Sequence, residues 1–395
     1  MTSLLDITGD DIAQLRPDDL RSLVGLLCEA DYRSAGLSTR GITWGGHQDA
    51  ADGGLDVVVS DTVEPPHAGS VPRRHTGFQV KRPDMPRKKI LDEMCPKGIL
   101  RDSIKELVQN GGAYLIVSSK ASTTAKTLKN RINAMREAVK DEENSHNLHV
   151  DFLDQGKVAT WVQNHPFLIL WVRNKIGRAL QGWKPYENWA NAPGGVEEEY
   201  LLDDELRLHD GTSSASGSLS VQDGLLRLRS ALSSPRSSVR LVGLSGVGKT
   251  RLVQALFDER IGEQPLTSSL AIYTDIGEPH VPEPGTMAEQ LVALQSRAIL
   301  IVDNCPPDLH RRLTTTCTQP NSTVSLLTIE YDVRDDLPEE TSVFKLEPAS
   351  EEIISTLIQK RFSHISHVDA QSIAEFSGGN ARMAIACGST ARHLL

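Results

Sequence analysis

The chain has 395 residues, 39% hydrophobic and 24% charged, with a formal net charge of −10 at pH 7. That length allows two or three domains with separate cores, and the acidic balance excludes a protein that coats nucleic acid over its whole surface. No apolar run reaches the length of a membrane span, Met1-Thr2-Ser3 opens no signal peptide, and the five scattered cysteines (Cys28, Cys95, Cys305, Cys317, Cys387) suit a reducing cytoplasm.

In chain order, Asp18-Asp19 lead into Leu20, Leu23, Val24, Leu26 and Leu27, an amphipathic helix predicted to end near Glu29. Leu55 to Val59 and Gly77 to Lys81 read as strands, residues 99–108 as a helix, and Ala113 to Val117 as a buried strand. A polar-faced helix over Lys126 to Val139, a strand over His149 to Leu153 and an apolar helix through Trp161 and Ile169 to Ile176 follow. Mixed strands with flanking helices predict an α/β or α+β domain over residues 1–190. Trp161, Trp171, Trp183 and Trp189 read as packing that seals its end.

Two stretches of this domain carry chemistry. Gly53-Gly54-Leu55-Asp56 sets an acid at a strand start after a glycine turn, and Phe78-Gln79-Val80-Lys81 ends the next strand. Positions two apart on a strand share a face, so Gln79 and Lys81 are co-directed, and Asp56 joins them if the strands are neighbours. Glu29, on the preceding helix, completes the set. Asp56 and Glu29 offer hard oxygens to Mg²⁺, while Lys81 orients or deprotonates water and steadies developing negative charge. Asp52 is a rival ligand, read first as a turn former. Arg73, Arg74, Arg82, Arg87, Lys88 and Lys89 form a local basic excess. Such an excess suits the phosphate backbone of double-stranded DNA, read without sequence preference; the alternative is a solvated basic loop.

Residues 191–219 differ in composition. The breaker cluster Asn191-Ala-Pro-Gly-Gly195, the acidic stretch Glu197 to Glu205 and the serine-rich tract Thr212 to Ser218 predict a linker.

From 220 to 395 a second domain follows. Val239 to Val242 reads as a strand, and Gly243-Leu-Ser-Gly-Val-Gly248-Lys249-Thr250 is a complete phosphate-binding loop. Gly243, Ser245, Gly246 and Gly248 build the backbone cradle, Lys249 reaches the β/γ-phosphates of ATP, and Thr250 offers its hydroxyl to Mg²⁺. Ala298 to Val302 is an apolar strand ending in Asp303, a carboxylate placed to hold Mg²⁺. Asn304 stands where a second acid would activate water, which predicts slow hydrolysis; Glu330 is a substitute base or an exposed strand-end glutamate. Ala271 to Tyr273 and Val324 to Thr328 complete the apolar runs of a parallel sheet buried on both faces. The helical stretch from Ala381 to Ala391 meets the end of the sequence without a polar tail, so a longer protein is expected.

The loop, the strand ending Asp303-Asn304, the strand ending at Thr328 and Gly378-Gly379-Asn380-Ala381-Arg382 together resemble STAND signalling NTPases. In particular, the chain looks like the front of a bacterial antiviral (AVAST-type) STAND protein, a relative of NLR receptors. The resemblance implies that ATP binding holds a signalling-competent homo-oligomer, a tetramer foremost. It also implies that a phage protein is sensed through a C-terminal region beyond these residues, and that Arg382 senses phosphate. The family's commoner proline after the glycine is missing here. Asp56, Gln79, Lys81 and Glu29 resemble the Mrr-like branch of the PD-(D/E)xK nucleases, in which glutamine replaces an acid. That implies a restriction-endonuclease-like α/β/α fold and Mg²⁺-dependent cutting of double-stranded DNA. Asp56 is then the metal acid, Gln79 the altered ligand, Lys81 the catalytic lysine and Glu29 the helix acid. Two other readings stay open: an NTP-dependent restriction enzyme with robust DNA-stimulated turnover, and a scaffold that binds without cutting.

Overall fold

The computed structural model describes residues 4–44, 54–66, 69–186, 189, 206–211, 218–331 and 340–391. Asp52, Gly53 and the linker stretches 191–205 and 212–217 lie outside the described residues. The chain divides into two compact units, Met1–Ala179 and Leu180–Leu395.

The first unit is built from α1 (Gly9–Gln14), α2 (Pro17–Ser34), β1 (Ile42–Trp44), β2 (Val57–Ser60), β3 (His75–Lys81), α3 (Arg87–Met94), α4 (Asp102–Gln109), β4 (Ala113–Ser118), α5 (Ala125–Ala138), β5 (His149–Leu153), α6 (Gln155–Gln163) and α7 (Pro166–Lys175). Its sheet runs β1-β2-β3-β4-β5, antiparallel as far as β3 and parallel from β3 to β5. Pro17 at the first helical position and Asp18-Asp19 beside the positive end of the dipole start α2. The helix outlasts the predicted end at Glu29, because Ala30, Asp31 and Tyr32 continue its buried stripe. All six residues of β4 are buried, as a central strand covered by helices on both faces requires. The single apolar helix expected up to Ile176 is two, since Pro166 lacks an N–H and cannot continue the turn after His165. Asp31 ties α2 to both, accepting from Trp161 Nε1 at 3.1 Å and meeting His165 Nε2 at 2.8 Å.

The two faces of this sheet are distinct. Phe78 stacks on Trp161 with ring centroids 6.2 Å apart, so α2 and α6 belong to the Phe78 face. Ile90, Met94, Ile104, Tyr114 and Ile116 form a separate core, which places α3, α4 and α5 on the opposite face.

The second unit contains β6 (Trp183–Pro185), β7 (Leu206–Asp210), β8 (Ser218–Ser220), α8 (Val221–Ser233), β9 (Ser238–Val242), α9 (Lys249–Ala255), β10 (Ala271–Asp275), α10 (Pro284–Leu294), β11 (Ala298–Asp303), α11 (Pro307–Cys317), β12 (Val324–Ile329), β13 (Ser342–Leu346), α12 (Glu351–Arg361), α13 (His367–Ser377) and α14 (Ala381–Ala391). Its sheet order is β6-β10-β11-β12-β9-β13-β7-β8. The five strands from β10 to β13 run parallel, with antiparallel strands on either flank. Strand β9 lies between β12 and β13, at the switch of connection direction where α/β sheets bind ligands beyond their carboxyl ends. Helices α12, α13 and α14 share a small core of Ile354, Ile358, Phe362, Ala370, Ala374 and Ala384.

The first domain therefore ends earlier than residue 190, and two of the four tryptophans belong elsewhere. Trp183 sits on β6, and Trp189 stacks on Tyr273 at 4.4 Å in the second core. Main-chain pairing of Pro185 with Ile272 captures this segment; aromatic content alone does not reveal which core receives it.

Arg240 on β9 is buried against Glu330, its Nε and Nη2 donating to Oε2 at 2.9 and 2.6 Å. Glu330 is thus a buried ion-pair partner and not the exposed or water-activating residue considered above. Arg240→Ala removes a buried guanidinium from that carboxylate, and a urea titration should register a loss of about 3–5 kcal/mol. His310 lies between the hydroxyls of Thr328 (2.8 Å) and Thr341 (3.1 Å). Burial, with Arg240 nearby, pushes its pKa from 6.5 down to about 4. The folded state holds this imidazole neutral while the unfolded chain protonates it. Its stability contribution is therefore present above pH 6.5 and is lost as pH falls toward 4. Between pH 7 and 4.5 that loss amounts to about 2–3 kcal/mol, and a His310→Gln variant should lack this part of the slope. No described helix is long and apolar enough to cross a membrane.

Candidate functional site

The phosphate loop joins β9 to α9. Gly243 has φ +145°, and a Cβ there would lie 2.4 Å from the Leu346 carbonyl oxygen, so any side chain would push β13 away. Gly246 has φ +85°, and its missing Cβ makes room for Asn380 and Arg382. Lys249 is buried, with Nζ donating to the Gly243 and Leu244 carbonyls at 2.8 and 2.7 Å. Burial pushes its pKa down, Arg382 adds to that and Asp303 opposes it. Thr250 Oγ1 donates to Asp303 Oδ2 at 2.8 Å, bringing together the hydroxyl and carboxylate that hold Mg²⁺ in loops of this kind. Tyr273 Oη also donates to Asp303 Oδ2, at 3.1 Å. Burial raises the Asp303 pKa against the hydrogen bonds from Thr250 and Asn304.

The Gly378-Gly379-Asn380-Ala381-Arg382 segment rests on this loop. Asn380 Nδ2 donates to the Ser245 carbonyl at 2.7 Å and Arg382 Nη1 to Ser245 Oγ at 3.1 Å. Arg382 thus touches the loop at Ser245 and Gly246. Asn304 Nδ2 donates to Asp275 Oδ1 at 2.7 Å, and Asp275 pairs in register with Asp303 one strand away. The sequence reading gave Asn380, Tyr273 and Asp275 no individual role in the site. Asp275 follows an apolar run as Asp303 does, which was the available signal.

In the first unit, β2 and β3 are neighbours, and the Asp56 amide donates to the Phe78 carbonyl at 2.8 Å. Asp56 Oδ2 accepts from Gln79 Nε2 and from the Val80 amide, both at 2.7 Å. Arg21 Nε lies 3.0 Å from Asp56 Oδ1. Lys81 shares the Gln79 face, and its Nζ meets Glu93 Oε2 at 3.2 Å. Arg101 holds the other Glu93 oxygen at 3.0 Å, and its side chain lies over Gly54, where a Cβ would come within 2.7 Å. Glu29 is engaged differently: Trp44 Nε1 donates to it at 2.8 Å and Arg33 pairs with it at 3.0 Å. The α2 residue that reaches Asp56 is Arg21. Sequence reasoning missed Arg21, Glu93 and Arg101, whose roles depend on packing between distant segments.

Gln79 Oε1 is buried without a hydrogen-bond partner. An unsatisfied buried acceptor beside a carboxylate is costly alone and fits a cation, so this donor set is compatible with Mg²⁺. Among the described residues no three acidic, histidine or cysteine side chains group around one point, so water and substrate oxygens would complete any coordination. The basic stretch is partly committed within the fold. Arg73 donates to the Gly111 and Asn147 carbonyls, Arg74 pairs with Glu64, and Arg87 with Glu137. Lys88 and Lys89 remain on the exposed side of α3.

Together, the sheet order, the loop and the Thr250–Asp303 pair define the second unit as a P-loop nucleotide-binding fold. No protein-family model matches the chain, nor does any curated protein. Similar solved structures include a Signal Transduction ATPase with Numerous Domains (STAND) protein with a tetratricopeptide repeat sensor from Pyrococcus horikoshii. It is 14% identical, the match covering 41% of this chain and 28% of that one at a TM-score of 0.28. PCH-2 of C. elegans is 11% identical over 47% of this chain and 68% of its own, at 0.32. NtrX from Brucella abortus in complex with ADP is 12% identical over 71% and 66%, at 0.31. These overlaps are partial, and the P-loop description stands on the strand order and loop geometry.

Proposed function

We propose that the chain is a nucleotide-gated nuclease: a metal-dependent endonuclease of double-stranded DNA in the first unit, controlled by a STAND-type ATP switch in the second. The observation that carries the reading is the Asp56–Gln79 contact at 2.7 Å with Lys81 on the same strand face. The first unit's mixed sheet, with helices on both faces, is compatible with a restriction-endonuclease-like fold. Mg²⁺ at Asp56 and Gln79 supplies charge neutralisation and an acidified water when bound. Lys81 orients that water toward phosphorus and steadies the charge on the non-bridging oxygens. A water oxygen bonds to phosphorus, one ester P–O bond breaks, and the departing alkoxide takes up a proton. The products are a phosphomonoester end and a hydroxyl end.

In the second unit, Lys249 exchanges its two loop carbonyls for phosphate oxygens, and Arg382 follows the same phosphates from α14. An unregulated duplex nuclease would destroy its own cell, so activity must depend on a state scarce at rest. Moving a 1:99 equilibrium to 99:1 takes a differential affinity of about 10⁴, roughly 5.5 kcal/mol. ATP-stabilised self-association, a homotetramer foremost, is the proposed source, triggered in the cytoplasm by a phage protein and serving anti-phage defence. Cleavage of plasmid and linear duplex DNA with Mg²⁺ and ATP, compared with Lys81→Ala, tests the reading. Equal cutting by both proteins would remove Lys81 from the chemistry.

A further inference from the structure

Asp56 and Glu29, the two carboxylates expected at the metal site, are held by different partners. Glu29 belongs to α2, which packs on the Phe78 face, where Trp44 and Arg33 hold it. Glu93 belongs to α3, which packs on the opposite face, the one carrying Gln79 and Lys81. Two buried oxygens on this strand face have no hydrogen-bond partner. Gln79 Oε1 is one, in a residue 4% exposed; the hydroxyl of Tyr114, 0% exposed, is the other. Tyr114 sits on β4 beside Gly77, on the strand face shared with Gln79. Burial raises its pKa, the charges of Glu93 and Asp56 raise it further, and Arg101 opposes them.

We infer that Glu93, and not Glu29, is the second carboxylate of the divalent-cation site, with Asp56 and Gln79 Oε1 as its companions. The inference rests on the nuclease reading above and changes which residues hold the metal. A cation there satisfies the orphaned amide oxygen, which nothing else among the described residues does. Lys81 and Arg101 hold Glu93 in place. Mg²⁺ sites commonly use one or two carboxylates and complete their coordination with water and substrate phosphate, which matches two acids and one amide.

The test is Mn²⁺ binding to the nucleotide-free full chain, read from the EPR signal of free Mn²⁺. An Asp303→Asn background keeps the second unit from contributing metal, and circular dichroism checks folding. The parent should bind one Mn²⁺, Asp56→Asn should bind none, and Glu93→Gln should weaken binding by at least about tenfold. Glu93→Asp, which keeps the charge and shortens the reach, should weaken it less, and Glu29→Gln should leave it within about twofold. Weakening in Glu29→Gln with unchanged affinity in both Glu93 variants would overturn the assignment while leaving the nuclease reading intact. Mn²⁺ binding indifferent to Asp56→Asn, or absent from the parent, would remove the metal reading itself and this inference with it.

Discussion

Replacing Lys249 with alanine is expected to remove nearly all stabilisation of the protein by ATP. Lys249 is the buried ammonium of the loop, and its protons point at the Gly243 and Leu244 carbonyls, ready to exchange those oxygens for phosphate. Charge-assisted hydrogen bonds of this kind contribute up to about 3 kcal/mol, so their loss weakens binding by about 100-fold. At an ATP concentration near 100 times the parent Kd, linkage gives the parent about 2.7 kcal/mol and the variant about 0.4 kcal/mol. For a unit of this size the parent's melting temperature should rise by roughly 5–10 °C and the variant's by roughly 1 °C. The variant should keep the parent's stability without nucleotide, because the two carbonyls can turn to water. An ATP-induced shift of parental size in Lys249→Ala would contradict the loop's assignment.

The second large effect is on cutting. Lys81→Ala removes the ammonium that faces Glu93 at 3.2 Å and shares a strand face with Gln79. Groups that position a nucleophile or steady charge at phosphorus contribute about 10²–10⁴ in rate. Cleavage at saturating Mg²⁺ should fall by that factor. Affinity for duplex DNA should fall far less, since one phosphate contact among several changes the salt dependence by a slope of about one. A rate loss with retained binding is the signature of chemistry. A parallel loss of both would make Lys81 a binding residue.

The two halves of the chain differ in how much of this the residues announce. The phosphate loop is legible because its glycines, Lys249 and Thr250 are consecutive and each needs only the local backbone. Asp303 is legible because an apolar run ending in an acid marks a buried strand's tip. Asp56 and Gln79 are readable only on the condition that their strands are neighbours. The register of Val57 opposite Phe78 supplies that condition. Glu93 is not readable. It lies within the charged run Arg87–Met94, which presents only Ile90, Leu91 and Met94 as apolar anchors, and its meeting with Lys81 depends on how α3 docks. The same limit hid Arg21, whose spacing on α2 says nothing of a strand start far along the chain. It also hid the unit boundary, where main-chain hydrogen bonds rather than side-chain pattern assign Trp183–Pro185 to the second sheet.

The most direct measurement is duplex DNA cleavage by the complete natural protein with Mg²⁺ and ATP, in the presence of a phage-infected lysate. Parent, Lys81→Ala and Lys249→Ala are run side by side. A nucleotide-gated nuclease predicts degradation by the parent that is lost in both variants. Degradation surviving in Lys249→Ala would leave a nuclease that the nucleotide does not gate, and no degradation in any triggered sample would contradict the account.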